Sequence, residues 1–280
     1  MKPIVTAEIS DSELESLNMA IFTKYGYDFS NYEKTSFKRR IQRILYKYEM
    51  NSILDLWRKI LFDKEFFLEM KDEISVGMTE MFRNPDFWQK IASDIIPKFE
   101  DKPTLDIWHA GCATGEEIYS MAILLYEKGI LKKSKALATD LSDNFVATAK
   151  KAQYDSEAID RYSKNYLEYN PNGIGLRNYL CKMDEDSFVF RDFLKDYAFI
   201  KQQNLVSEPM TSKFDIIFCR NVMIYFNDEL KIKVLKMFNE SLKPGGLLCI
   251  GYFDALPRNY EQYFEYEESS LKLFRKIEVN

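Results

Sequence analysis

The sequence predicts an α/β protein in which a parallel sheet covered by helices follows an N-terminal helical domain. Apolar runs alternate with helical segments from residue 104 onward, and these runs are TLDIWHA, KALATD, KFDIIFCR and GLLCIGY. Strands that are apolar almost throughout and are separated by helices are typical of a parallel sheet buried on both faces. Residues 1–90 show only helical patterns. A chain of 280 residues is long enough for both parts, and we expect domains at 1–90 and 91–280.

Composition and charge argue against several classes of protein. The chain is 46% hydrophobic and 30% charged, which indicates an ordered globular protein. Its net charge of −5 and pI near 5.3 argue against general binding of nucleic acid. A single histidine argues against a His-rich metal centre or a histidine-based triad, so we expect no metal. The apolar runs are too short to insert across a membrane and no signal peptide is recognisable, so we expect a cytoplasmic protein.

The N-terminal region contains four helical patterns. The first begins at a capping box formed by Ser10 and Glu13. Its apolar positions are Leu14, Leu17, Ile21 and Phe22. The second helix covers SFKRRIQRILYKYEM (36–50), and residues 52–62 and 64–71 form two further short helices.

The second of these helices carries clustered positive charge in an otherwise acidic protein. We expect its cationic residues to lie on one exposed flank, and they are Lys38, Arg39, Arg40, Arg43 and Lys47. Taken alone, this flank is either a solvated face or a docking surface for an acidic partner. The second interpretation arises because like charges clustered against the overall sign cost some stability.

The second region contains helices at 116–128, 142–152 and 228–242. The last of them ends at Lys243-Pro244-Gly245-Gly246, a strong stop signal. Residues 155–200 interrupt the alternation of strands and helices, because NPNGIGLRNYL, SFVFRDF and YAFIKQQ resemble short antiparallel strands. We therefore expect a small antiparallel β-subdomain inserted at about 155–200.

The turn after the first strand raises the question of what it binds. The stretch HAGCATGEEIYSMAILL (109–125) has small residues at Gly111 and Ala113, and its helix opens at Glu116 and Glu117. In open parallel sheets, ligands bind beyond the carboxyl ends of the strands. A pyrophosphate at this helix would face two carboxylates, and each like-charge contact at about 4 Å costs on the order of 4 kcal/mol. The glutamates either complement the helix dipole or meet a cationic ligand such as S-adenosylmethionine, which carries a sulfonium and an ammonium and has no phosphate.

The second strand favours the cofactor interpretation. KALATD ends in Asp140, about 25 residues after the glycine turn. An acidic residue at that position can accept both hydroxyls of a ribose, although it can also cap the following helix. A turn without phosphate chemistry followed by this acid predicts an S-adenosylmethionine site and argues against NAD.

Several separate motifs carry a resemblance to a known family. KFDIIFCRNVMIYF (213–226), together with ATGEEIYSMAILL, ATDLSD and MTEMFRNPDFW (78–88), resembles the chemotaxis-receptor methyltransferases of the CheR type. The motifs occur in the right order over most of the chain, including the basic KRRIQR helix. The resemblance implies a Rossmann-like class I methyltransferase sheet and the activity of an S-adenosylmethionine-dependent protein-glutamate O-methyltransferase. It also implies a partner, namely acidic chemoreceptor helices that dock on the basic helix.

The resemblance implies roles for individual residues. Arg83 and Tyr225 match the arginine near the methyl donor and the tyrosine that borders the reaction site. The implied cofactor contacts are Thr79, Arg83, Gly111, Ala113, Glu116 or Glu117 at the methionine ammonium, Asp140 at the ribose, Asn204 and Leu205 at the adenine, Arg220 and Asn221. Spacing does not distinguish Glu116 from Glu117, and His109 at the end of the first strand is interpreted as structural.

The chain departs from the family pattern at three places. Gly77 stands where the family usually has asparagine, and Gly251-Tyr252-Phe253-Asp254 replaces Gly-His-Ser-Glu after the last strand. The insertion has an extra stretch around NYLEYNPNGIGLR and lacks the glycine-containing loop of members that bind a receptor's C-terminal pentapeptide, so tethering of that kind is not predicted.

Alternatives to the methyl-ester function stay open on the sequence alone. The same fold could methylate a different protein or a small molecule. A catalytically silent module could bind S-adenosylmethionine as a sensor, although the intact motif residues weigh against it. A dehydrogenase is the weakest alternative, because of the charge at the turn.

Overall fold

The computed structural model describes residues 9–74, 79–258 and 260–277, and it begins with four helices. They are α1 (Asp11–Tyr25), α2 (Lys34–Lys47), α3 (Ile53–Phe62) and α4 (Lys64–Ile74). The capping box of Ser10 and Glu13 is confirmed, because each residue bonds to the backbone of the other. Phe22 is an exception to the expected apolar face, since 55% of it is exposed.

The described residues form three hydrophobic clusters, one in the helical part of the chain and two around the sheet. The helical cluster extends from Ile9 to Ile74. Helix α5 (Pro85–Lys90) continues into a π-helical turn (Ile91–Ile95) and a 3-10 turn (Ile96–Phe99), and all three pack with the sheet. The boundary expected near residue 90 therefore falls inside one of the two clusters around the sheet.

Ten strands follow, and seven of them form the main sheet. The strands are β1 (Leu105–Ala110), β2 (Ser134–Asp140), β3 (Gln153–Asp155), β4 (Leu180–Lys182), β5 (Ser187–Phe190), β6 (Ala198–Gln202), β7 (Phe214–Cys219), β8 (Leu242–Ile250), β9 (Phe264–Glu268) and β10 (Leu273–Lys276). The order in the main sheet is β6-β2-β1-β7-β8-β10-β9. Strands β6, β2, β1, β7 and β8 are parallel, whereas β10 and β9 pair antiparallel at the edge. This arrangement confirms the α/β prediction.

The remaining helices connect the strands. They are α6 (Glu116–Glu127), α7 (Asp143–Lys151), α8 (Ser156–Tyr169), α9 (Asp192–Lys195) and α10 (Asp228–Ser241). Three of them agree closely with the predicted helices at 116–128, 142–152 and 228–242. None of the helices within the described ranges is long and apolar enough to cross a membrane.

The insertion contains a small antiparallel sheet, as expected, but its composition differs from the prediction. The sheet has the order β3-β5-β4, and α8 lies between β3 and β4. The segment YAFIKQQ was assigned wrongly to this insertion, because β6 pairs parallel with β2 in the main sheet. As an edge strand, β6 buries Ile200 and exposes Phe199, so its alternation resembles that of an antiparallel strand. The segment NPNGIGLRNYL forms a turn before β4 and not a strand of its own.

Candidate functional site

A cleft of about 1020 Å³, including the space at its mouth, lies at the carboxyl ends of the parallel strands. The helical part of the chain also lines this cleft, since it contributes Tyr32 and Ile74. Every site residue expected from the sequence lines this cleft except Glu116. The lining residues expected from the sequence are Thr79, Arg83, Gly111, Ala113, Glu117, Asp140, Asn204, Leu205, Arg220, Asn221 and Tyr225. Gly77, which marks a departure from the family pattern, lies outside the described residues.

The turn after β1 requires its glycine. Gly111 has a φ of 80°, and a Cβ atom at this position would lie 2.4 Å from Cγ2 of Val222. The backbone N–H groups of Gly111 and Cys112 both donate to the carbonyl oxygen of Thr139, at 2.8 and 2.9 Å. The turn is therefore fixed to β2, and at Gly111 it exposes backbone without a side chain to the cleft.

The backbone holds the carboxylate of Asp140 at the end of β2. Its Oδ2 accepts from the N–H of Ala113 at 2.9 Å, and its Oδ1 accepts from the N–H of Ser142 at 3.0 Å. Burial raises the pKa of Asp140, against the lowering effect of these hydrogen bonds. A carboxylate oxygen can accept more than one hydrogen bond, so both oxygens retain capacity for hydroxyl groups in the cleft.

The two adjacent glutamates of α6 face in different directions. Glu116 is 3% exposed and points away from the cleft. It accepts from Oγ1 of Thr114 at 2.7 Å and from the hydroxyl of Tyr162 at 3.1 Å. Burial raises the pKa of Glu116 to about 7. It therefore bridges the turn and α8.

Glu117 is the glutamate that lines the cleft. Its Oε1 lies 2.9 Å from Nδ1 of His109, and Nη1 of Arg220 donates to its Oε2 at 3.3 Å. Burial alone would raise the pKa of Glu117, but His109 and Arg220 outweigh that effect and hold the pKa below its usual value. The cleft thus contains an ionised carboxylate at the glycine turn, and fully buried His109 acts on the cleft through it.

Arg220 joins three parts of the site. Its Nη2 donates to the carbonyl oxygen of Arg83 at 3.3 Å and to Oδ1 of Asn84 at 3.1 Å. Its guanidinium lies 3.9 Å from the ring centre of Phe87, and its side chain is only 4% exposed. Arg220 therefore connects the end of β7, Glu117 and the turn that carries Arg83.

Asp254 holds the loop after β7 and was not identified from the sequence. Its side chain accepts from the N–H groups of Asn221, Gly251 and Ile224 at 2.6, 2.8 and 2.8 Å. A Cβ atom on Gly251 would lie 2.7 Å from the backbone nitrogen of Asn221, so only glycine allows this approach. The spacing Gly-x-x-Asp after the last apolar run was the available signal, although it was noticed only as a departure from the family.

Arg40 does not belong to the exposed basic flank, and its placement there was wrong. It is 8% exposed, its Nη1 donates to the carbonyl oxygen of Ile74, and its guanidinium lies 4.2 Å from the ring centre of Tyr225. The reason is helical spacing, because position 40 shares a face with buried Phe37 and Ile44. The residues that remain at least partly exposed are Lys38, Arg39, Arg43 and Lys47.

Comparisons with known proteins identify similar chains over nearly the whole length. Residues 77–273 match the model described as CheR methyltransferase, SAM binding domain, and residues 12–75 match CheR methyltransferase, all-alpha domain. A protein named Cher3 from Pseudomonas putida is 32% identical over 268 residues, which is 95% of this chain and 97% of that protein. Proteins named chemotaxis protein methyltransferase are 30% identical in Borreliella burgdorferi (90% of each chain) and 28% identical in Vibrio parahaemolyticus (89% of this chain and 90% of the other).

Proposed function

The chain belongs to the CheR methyltransferase family, and from this premise we propose that it forms methyl esters on glutamate side chains of chemoreceptors or related signalling proteins. It is an S-adenosylmethionine-dependent methyltransferase. The choice of chemoreceptors as methyl acceptors is supported by the relatives named chemotaxis protein methyltransferase. The structural observation that carries the proposal is the cleft in which Glu117 and Asp140 lie beside Arg83 and Tyr225.

The cleft fits S-adenosylmethionine and not a nucleotide phosphate. The ionised carboxylate of Glu117 would hold the ammonium of the methionine part, and Asp140 would hold the ribose hydroxyls. Gly111 and Ala113 would let the cofactor approach the backbone, and Asn204 and Leu205 would flank the adenine. Thr79, Asn221 and Arg220 complete the proposed contacts, with Arg220 acting mainly through Glu117. When bound, the cofactor supplies an electrophilic methyl group.

The acceptor needs positioning more than activation. A glutamate side chain has an unperturbed pKa of about 4.3, so it is already an ionised nucleophile at neutral pH and needs no general base. Arg83 would pair with the acceptor carboxylate, and the hydroxyl of Tyr225 would orient it. Water opposes the loss of charge that accompanies methyl transfer, whereas a dry and aligned site favours it. Orientation and exclusion of water are therefore the main contributions of these side chains.

The exposed basic flank of α2 would dock the acidic acceptor helix. Arg39 and Arg43 are exposed and Lys38 is partly exposed, while Lys47 pairs with Glu73. Positive charge concentrated on one face of a protein with a net charge of −5 would steer a negatively charged partner to that face. Arg40, on the buried face of the same helix, contacts Tyr225, so α2 would connect the docked partner to the proposed reaction site.

The chemistry of the product tests the proposal. The purified protein would be incubated with methyl-labelled S-adenosylmethionine and membranes that contain chemoreceptors, and the labelled bands would then be treated with mild base. We expect label in a receptor band that base releases as methanol, as a carboxyl methyl ester requires. Base-stable label would retain the cofactor but overturn the glutamate acceptor, and ester label confined to soluble bands would overturn the receptor assignment.

A further inference from the structure

Gln203 lines the cleft and carries a buried side-chain acceptor without a partner among the described residues. It follows β6, lines the cleft and is 2% exposed. Its side-chain oxygen Oε1 is buried and has no hydrogen-bond partner among the described residues. Arg220 is the other cleft-lining residue with such an atom, but its Nε is a donor. Buried polar atoms are nearly always paired, so an unpaired acceptor on a residue that lines the cleft is a candidate to bind a donor on a ligand or on an ordered water.

The adjacent side chain of Asn204 is engaged in the turn after β6. The side-chain oxygen of Asn204 already accepts from the N–H of Val206 at 2.9 Å, and the N–H of Asn204 donates to Glu208 at 3.2 Å. These bonds turn the chain after β6. The N–H of Gln203 donates to the carbonyl oxygen of Asp140 at 2.9 Å, which fixes Gln203 beside the carboxylate proposed to hold the ribose.

The order of strands assigns the donor. The strands β1, β2 and β6 are neighbours in the sheet; Glu117 lies on the helix after β1, Asp140 is the last residue of β2, and Gln203 follows β6 directly. S-adenosylmethionine carries its N–H and O–H donors in the order ammonium, ribose hydroxyls and adenine 6-amino group. On the proposed placement of the first two at Glu117 and Asp140, the 6-amino group is the donor that remains for the third position. We propose that Oε1 of Gln203 accepts a hydrogen bond from the 6-amino group and makes the site specific for a 6-aminopurine.

Binding measurements with two ligands test this inference. The ligands are S-adenosylhomocysteine and its analogue in which hydrogen replaces the 6-amino group, and calorimetry would give the Kd of each. The intact protein is expected to prefer S-adenosylhomocysteine by roughly tenfold, as one buried hydrogen bond allows. In Gln203→Leu the preference should fall below about twofold, mainly through weaker binding of S-adenosylhomocysteine.

A neighbouring glutamine provides the matched control. Gln202 is exposed and its amide donates to the carbonyl oxygen of Leu141 and to Asp143, both at 3.0 Å, so Gln202→Leu should keep the tenfold preference. Gln203→Met, which preserves side-chain length, repeats the test if Gln203→Leu does not fold. Equal binding of both ligands by the intact protein, or a preference that survives both Gln203 variants, would overturn the inference. Because only binding is measured, a wrong methyl acceptor would leave these results unchanged.

Discussion

The guanidinium of Arg40 lies 4.2 Å from the ring centre of Tyr225, so a residue of the helical domain contacts the tyrosine at the proposed reaction site. A second contact supports it, because the N–H of Glu33 donates to the carbonyl oxygen of Tyr225 at 2.8 Å. Tyr32 and Ile74 also line the cleft. The helical domain therefore builds one wall of the site in addition to carrying the basic flank.

Replacement of Arg40 by methionine should reduce turnover with little effect on cofactor affinity. A desolvated cation–π contact is worth about 2 kcal/mol, so a loss of kcat of roughly 30-fold is expected if this contact fixes the ring of Tyr225. Steady-state kinetics with a saturating acceptor would measure this loss of kcat. The control is Arg39→Met on the exposed side of α2, which should raise KM for an acidic acceptor and preserve kcat. Identical kinetics for the two variants would contradict a positioning role for Arg40.

Arg83→Ala should lower turnover strongly while the fold survives. Loss of the group that orients the acceptor carboxylate is expected to cost on the order of 100-fold in kcat. Circular dichroism and thermal unfolding would establish that the variant is folded, and calorimetry with S-adenosylhomocysteine would separate binding from turnover. Unchanged turnover would remove Arg83 from the mechanism.

The two glutamates of α6 should respond differently to the same substitution. Glu117→Gln removes the ionised carboxylate from the cleft, and a charge-assisted hydrogen bond of about 1.5 to 3 kcal/mol corresponds to roughly 10- to 150-fold weaker cofactor binding. Glu116→Gln should change the affinity by less than about threefold, because Glu116 does not line the cleft. Calorimetric titration would measure the cofactor affinity of both variants. Equal losses of affinity would mean that the ammonium is not held by Glu117.

The sequence predicted which residues line the cleft better than it predicted the directions of their side chains. The carboxyl ends of parallel strands meet at one edge, so Asp140 and Asn221 could be placed together from the strand pattern, whereas Asn204 was placed only by the family resemblance because its strand was assigned to the insertion. Glu116 and Glu117 differ by one position, which is about 100° on a helix, and their directions depend on packing that spacing does not reveal. Thr114 and Tyr162 hold one of them, whereas His109 and Arg220 hold the other.

Other features depend on contacts between residues that are distant in the sequence. Arg40 was assigned to the exposed flank because its neighbours are charged; helical spacing places it on the face of Phe37 and Ile44, but the sequence does not reveal its contacts with Tyr225 and Ile74. Asp254 joins two loops separated by about thirty residues, as its bonds to Asn221 and Ile224 show. No local pattern identifies such partners.

Glu116 should make stability depend on pH. Its folded-state pKa of about 7 lies above the ordinary value of 4.5, so the folded protein holds a proton that the unfolded chain has released between these values. Its contribution is complete below about pH 4.5 and is lost as the pH rises through 7, by up to roughly 3 kcal/mol. Glu116→Gln removes this loss, so the variant should gain in free energy of unfolding over the parent protein between pH 5 and 8. Denaturant unfolding at several pH values measures the free energy of unfolding of both proteins. Parallel pH profiles for the two proteins would refute the assignment of the pH dependence to Glu116.

The carboxylate of Glu127 should stabilise the extra stretch that distinguishes the insertion. Glu127 ends α6 and accepts from the hydroxyls of Tyr166, Tyr169 and Tyr179 at 2.5, 3.1 and 2.9 Å, and from the amide of Asn170 at 3.2 Å. The three tyrosines are buried, so a change at Glu127 leaves several buried donors poorly paired.

Glu127→Gln should therefore lower the free energy of unfolding by about 2 to 4 kcal/mol. Glu157→Gln on α8 is the matched control, because its side chain is 90% exposed and pairs only with Arg161 among the described residues; a surface pair of this kind should change stability by less than about 0.5 kcal/mol. Urea titration measures both variants, and methyl transfer well below the unfolding transition should be preserved because Glu127 does not line the cleft. If the two variants lose the same stability, the tyrosine cluster does not hold the insertion on α6.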